Sequence, residues 1–263
     1  MRIFAFLIGF LLTGGSGLVA QDAPPMITDR PDQTESAALV PRGMVQFEVG
    51  ASLTRLTVPI LNASSDRDVR ALGATLARIG ILSGLEARIG FAGYVSVEQA
   101  GALSVSGVGD LDLGVKVQLM RGDGNIPQVA ALGSVIFPTA EDQLGVEAVS
   151  GIMRLAFAHE LSERLGFGWN LGVAVDRGEG RTQTEILYTA SLGVVAADRI
   201  GLFVESFGFF GATEFRADRH LIDAGITFAA LPNVQLDASG GIGLNSVAAN
   251  WFVAAGLSIR VPR

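Results

Sequence analysis

Cysteine is absent from the 263 residues, so neither a disulfide framework nor a thiolate metal site is available. Histidine is scarce: His159 and His220 stand far apart in sequence, and two such residues define no metal site. Charged residues make up 17% of the chain and leave a net charge of −7, which argues against nucleic acid as a partner. Past residue 20 there is no apolar run of about eighteen residues, so a helical membrane span is excluded. Gly107-Val-Gly109 has no helix pattern behind it and therefore makes no phosphate loop. No cofactor is implied. Yet 49% of the residues are hydrophobic, too many for a disordered chain.

What is present is alternation. Asp110, Asp112, Gly114, Lys116 and Gln118 face one way, while Leu111, Leu113, Val115, Val117 and Leu119 face the other. Period two over ten residues is a β-strand with one polar and one apolar face. Arg121-Gly-Asp-Gly-Asn125 supplies turn chemistry, and a second apolar run returns to Phe137. The apolar face is an unbroken aliphatic stripe, whereas the polar face mixes charge with glycine. That is a barrel turned inside out, with lipid outside and a polar lumen. A soluble sandwich explains one such hairpin equally well, and recurrence along the chain decides between them.

The pattern recurs. Twelve strands are expected, over 44–57, 71–82, 85–97, 109–121, 127–137, 149–160, 164–175, 182–197, 199–210, 219–230, 233–244 and 250–261. The ninth fits worst, because Phe203, Phe207 and Phe209 share a face with Glu205. Connections alternate between short turns, such as Ser83-Gly84 and Leu231-Pro232, and mostly longer loops, notably 58–70, 98–108 and 138–148. Short turns at one rim and long loops at the other characterise outer-membrane barrels. The predicted fold is all-β: one closed antiparallel transmembrane barrel over 44–263, with short periplasmic turns and longer extracellular loops. Residues 1–20 read as a signal peptide, with Arg2 before an apolar core and small residues leading to Ala20. Residues 21–43 hold four prolines and no period, and are expected to form an irregular periplasmic arm.

Two stretches resemble a known family. Thr28-Asp-Arg-Pro-Asp-Gln-Thr-Glu-Ser36, then Val40-Pro-Arg-Gly43 leading to Gln46-Phe-Glu48, is similar to the opening of the MetA-pathway phenol degradation family. Gly107-Val-Gly-Asp-Leu-Asp-Leu-Gly-Val-Lys116, followed by Phe137-Pro-Thr139, resembles its central signature. The resemblance covers most of the chain. It implies a Gram-negative outer-membrane barrel that carries small compounds, hydrophobic or aromatic ones among them. Outer-membrane lipid and the outer-membrane assembly machinery are then the expected partners. Such barrels commonly end on an aromatic residue, and the terminal Ile259-Arg-Val-Pro-Arg263 departs from that pattern.

The polar faces collect the candidate site. Glu48, Glu86, Asp110, Asp112, Glu185, Glu205, Asp223 and Asp237 are expected to line the lumen with Arg78, Arg88, Lys116, Arg154, Arg219 and Arg260. Buried charges must pair, so these either brace the strands or contact a passing solute. Lys116 is expected to be neutralised on its own strand or by Glu86. In the arm, Asp29, Arg30, Asp32 and Glu35 either dock on lumen charges as a partial plug or belong to a mobile tail. The expected function is a monomeric channel for passive or facilitated passage of small molecules. The rivals are a structural barrel with a filled lumen and an outer-membrane lipid-modifying enzyme. The latter is disfavoured because His159 and Ser162 would fall on opposite faces of one strand.

Overall fold

The computed structural model describes residues 24–60, 63–101, 103–123, 126–178, 180–213 and 216–262. The expected signal peptide lies outside them. The described chain forms β1 (Val45–Ile60), β2 (Ala63–Leu82), β3 (Leu85–Phe91), β4 (Tyr94–Gln99), β5 (Leu103–Val108), β6 (Leu111–Asp123) and β7 (Ile126–Phe137). It continues as β8 (Ser150–Ser162), β9 (Leu165–Gly178), β10 (Arg181–Ala197), β11 (Ile200–Gly211), β12 (Arg219–Leu231), β13 (Val234–Gly243) and β14 (Trp251–Val261). Sequential neighbours pair antiparallel around the ring, and β1 pairs with both β14 and β2, which closes it. Closure leaves no free edge in lipid, where an unpaired backbone group has no water to turn to. β2 pairs with β3 along one half and with β4 along the other, while β6 pairs with β3 and β5 with β4. β3 with β4, and β5 with β6, therefore run end to end as one long stave each, and the ring is twelve-stranded.

The faces sort as the alternation dictates. Leu113 and Val115 are 50% and 48% exposed, and Lys116 beside them is 0% exposed. Ile89 and Leu236 also lie on the outer surface, whereas Asp237 is buried. The misfitting ninth strand has a simple explanation in β11. Phe207 does point inward with Glu205, and with Leu221, Ala248 and Ala249 it forms an apolar cluster, against which Phe252 and Leu56 pack. On the outside, Phe157 stacks on Trp169 towards the turn rim, and Tyr188, Phe210 and His220 cluster towards the loop rim. Aromatic rings at those heights suit the two interfaces of a bilayer.

Two expected loops are strands instead. Residues 58–60 and 63–70 extend β1 and β2, 98–99 and 103–108 belong to β4 and β5, and together they form a tall double hairpin. Their alternation has the opposite sense, which disguised them. Across Gly73 and Gly93, both at positive φ, the side-chain parity slips by one. Below that line the outer face carries Ile89 and Leu113. Above it the outer face carries cross-strand polar pairs, namely Arg55 with Asp68 at 2.7 Å and Arg70 with Glu98 at 2.6 Å, while Val95 turns inward and is buried. A one-residue slip exchanges the two faces of a strand. The wall thus goes from lipid-facing to water-facing without leaving the sheet.

Candidate functional site

The arm over residues 24–43 contains no regular element, but it is not a tail outside the ring. It touches strands on every side. Arg260 of β14 donates to the carbonyls of Pro24 and Pro25, and Gln235 of β13 to the Thr28 hydroxyl. Asn170 of β9 exchanges two hydrogen bonds with the backbone of Glu35, and Arg154 of β8 donates to the Gln33 carbonyl. The Thr34 hydroxyl lies 2.7 Å from that of Thr189 on β10, and also bonds Glu205 of β11. Ala37 packs on Ala130, Leu132 and Ala156. A segment that meets opposite walls of a closed ring runs through its interior. Both of its ends lie at the turn rim, because Gly43 and Met44 bond to Gly80 near the end of β2.

Asp29 is the hub. Its carboxylate lies 2.6 Å from Arg88, 3.0 Å from Lys116 and 3.2 Å from Arg78, and it also accepts from the amide and hydroxyl of Ser36, which fixes the arm's own turn. Burial alone would raise the Asp29 carboxyl, but Arg78, Lys116 and Arg88 outweigh it and hold the group well below the usual carboxylate range. Around the hub, Glu86 bonds Arg78 and Arg88, Glu48 bonds Arg78 and the Asp29 amide, and Glu35 bonds Arg88. Lys116 finds no hydrogen bond on its own strand or on Glu86. Its ammonium donates to Asp29 and to the Ser36 carbonyl at 2.9 Å. Alternation identifies which face a residue occupies, but not a partner some ninety residues away in the chain.

The other expected residues fall into separate groups. Glu185 pairs with Arg219 at 2.8 Å near the loop rim, joined by Arg216, which sequence reasoning overlooked. Asp237 holds Arg30 at 3.2 Å. A Cβ at Gly50 or Gly256, which face each other across the β1–β14 seam, would collide with that guanidinium, so the two glycines cut the groove it fills. Asp32 lies by Glu205, and burial together with that neighbouring charge pushes its carboxyl well above the ordinary range. Asp223 on the adjacent strand is buried directly opposite Glu205. Asp112 lies over Gly90. Asp110 accepts from the amides of Thr139, Ala140 and Val146 at 3.0, 2.9 and 2.6 Å, and so folds the 138–146 loop inward. Those bonds tie the Gly107–Lys116 signature to Phe137-Pro-Thr139.

The arm divides the interior. On its loop side, against β2, β3 and β6 to β8, lies a cavity of about 550 Å³. On its turn side, against β8 to β13, lies another of about 550 Å³. Arg30 lines both. The histidines take no part. His159 accepts from the Trp169 indole at 3.3 Å, and His220 bonds the Tyr188 hydroxyl at 3.0 Å, both among aromatic rings on the outer face. No group of acidic or histidine side chains suited to a metal ion occurs among the described residues.

Closure, an aliphatic outer belt and a charged interior define a transmembrane β-barrel. The sequence model described as "Putative MetA-pathway of phenol degradation" matches residues 28–261, and the chain belongs to that family. No curated protein matches it. Among solved structures it resembles the NanC porin, with TM-score 0.53 and 8% identity over 82% of this chain and 98% of that one. The translocator domain of the autotransporter NalP from Neisseria meningitidis gives TM-score 0.54 and 11% identity over 82% and 88%. The KdgM porin in complex with disordered oligogalacturonate gives 0.51 and 6% over 82% and 98%. At these identities the likeness is one of fold.

Proposed function

We propose that this protein is an outer-membrane channel for small molecules, with the turn rim in the periplasm and passage controlled by its own arm. The observation that carries this reading is the divided lumen: two chambers of about 550 Å³ each, on opposite sides of a segment of irregular backbone, with Arg30 lining both. A purely structural barrel gains nothing from two chambers, whereas a channel needs them joined by a part that can move. The arm is suited to move, since it contributes no strand to the wall.

The absence of cysteine makes the test clean. Thr34→Cys with Thr189→Cys replaces two hydroxyls 2.7 Å apart and should form a disulfide locking arm to wall. Liposome swelling by small neutral solutes should be low in the oxidised variant and restored by reductant. A variant lacking residues 24–43 should exceed wild type in both swelling and single-channel conductance. Equal permeability in all three would leave a filled, structural barrel as the better reading.

A further inference from the structure

We infer that the loop-side chamber is a binding site for small carboxylates with a compact apolar body. This inference names a substrate class for the proposed channel and rests on that reading. The chamber's size falls within the range of about 300–1,000 Å³ typical of small-molecule sites. Its walls include Leu76, Leu132, Ile136 and Ile152, so most of a bound molecule would meet aliphatic carbon.

The charges that line it are already committed, with one exception. Arg88 and Glu35 bond each other, Glu48 is held by Arg78, Asp110 by three loop amides, and Arg30 by Asp237. Arg154 differs. One of its guanidinium nitrogens reaches the Gln33 carbonyl at 3.2 Å, and among the described residues it has no carboxylate within ion-pair distance. An arginine facing an apolar chamber, with donors to spare and no counter-ion, is complementary to an anion that can accept two parallel hydrogen bonds. Asp112, two strands away from Arg154, lies over Gly90 and is engaged by the Ser134 hydroxyl and the Arg88 charge. Its charge orients such a ligand, with the carboxylate towards Arg154 and the apolar body between. It also disfavours large anions that would reach both walls.

Gln33 belongs to the arm, so a carboxylate drawn to Arg154 competes with one of the arm's anchors. Binding in the chamber and loosening of the partition would be coupled through that one guanidinium.

The test uses three probes of one shape and different head charge: cyclohexanecarboxylate, cyclohexylmethanol and cyclohexylmethylammonium. Their binding to the purified full chain in detergent is followed by calorimetry. The carboxylate should bind best. Arg154→Met should weaken it by roughly tenfold or more, as expected for loss of a charged hydrogen bond. Arg154→Lys should keep part of the affinity, and Asp112→Asn should not reduce it. Equal binding of the three probes, or carboxylate binding unchanged in Arg154→Met, would overturn the inference. So would preferential binding of the ammonium probe that disappears in Asp112→Asn. Binding that follows the expected order in a protein whose swelling rates ignore the arm lock would sink the channel reading while leaving the site intact.

Discussion

Among the described residues Lys116 has one carboxylate within bonding reach, and that carboxylate comes from the arm rather than the wall. Asp29→Asn therefore strands a wholly buried ammonium among carbonyls. Breaking such a pair costs about 3–5 kcal/mol. The loss should fall on docking of the arm, read as lost hydrogen-exchange protection at Gln33 and Glu35, because strand pairing does not involve Asp29. Lys116→Met should cost less, since Asp29 keeps Arg78 and Arg88, and the double variant should cost less than the two single changes added. Strict additivity would mean that the two residues do not act as a pair. Acidity tests the same residues with two opposite signs. The depressed Asp29 carboxyl contributes stability that is present above its ordinary value of 3.8 and is lost as pH falls through its lower folded value. The raised Asp32 carboxyl is the reverse: where it is ionised it opposes docking, and protonating it as pH falls from its raised folded value towards 3.8 relieves that opposition. Arm protection should therefore rise on mild acidification and collapse only well below pH 3.8. A steady fall from neutrality would contradict both assignments.

At the level of elements, the strands were legible wherever an aliphatic stripe met lipid. From Leu111 to Leu119 face and period are both readable because one face has to be apolar throughout. Val115→Lys, at mid-strand on that face, should cost about 2–4 kcal/mol in a bilayer and much less on the polar face. The tall hairpins were not legible, for a physical reason. Outside the membrane the stripe is no longer required, and Arg55, Asp68, Arg70 and Glu98 hold the strands by cross-strand pairing that in sequence looks like a charged loop. The slip itself needs Gly93, at φ 83°, where an added Cβ would strike the backbone of Leu72 and Ala74. Gly93→Ala should destabilise the junction and expose β4 and β5 to limited proteolysis, while melting of the barrel below changes little. Protease resistance equal to wild type would show that the junction tolerates a side chain. The lumen residues were legible as a set of inward positions. Their pairing was not, because it depends on a segment with no periodicity.

For the whole molecule, the position of the arm's two ends has a mechanical consequence. Pro24 is held at Arg260 and Gly43 at Gly80, both at the same rim. The loop between them can be withdrawn without parting a single rung of the wall. Force applied ahead of residue 24 would load its anchors in series, first Arg260, then Gln235, then the Asp29 cluster, so each bond yields in turn instead of sharing the load. A barrel pulled apart strand by strand resists in shear, with many rungs strained together. In a single-molecule pull from the N-terminal end, extraction of the arm should thus appear as a separate, low-force event preceding any unravelling of the wall. The extension released should match about twenty residues at roughly 3.3–3.6 Å each.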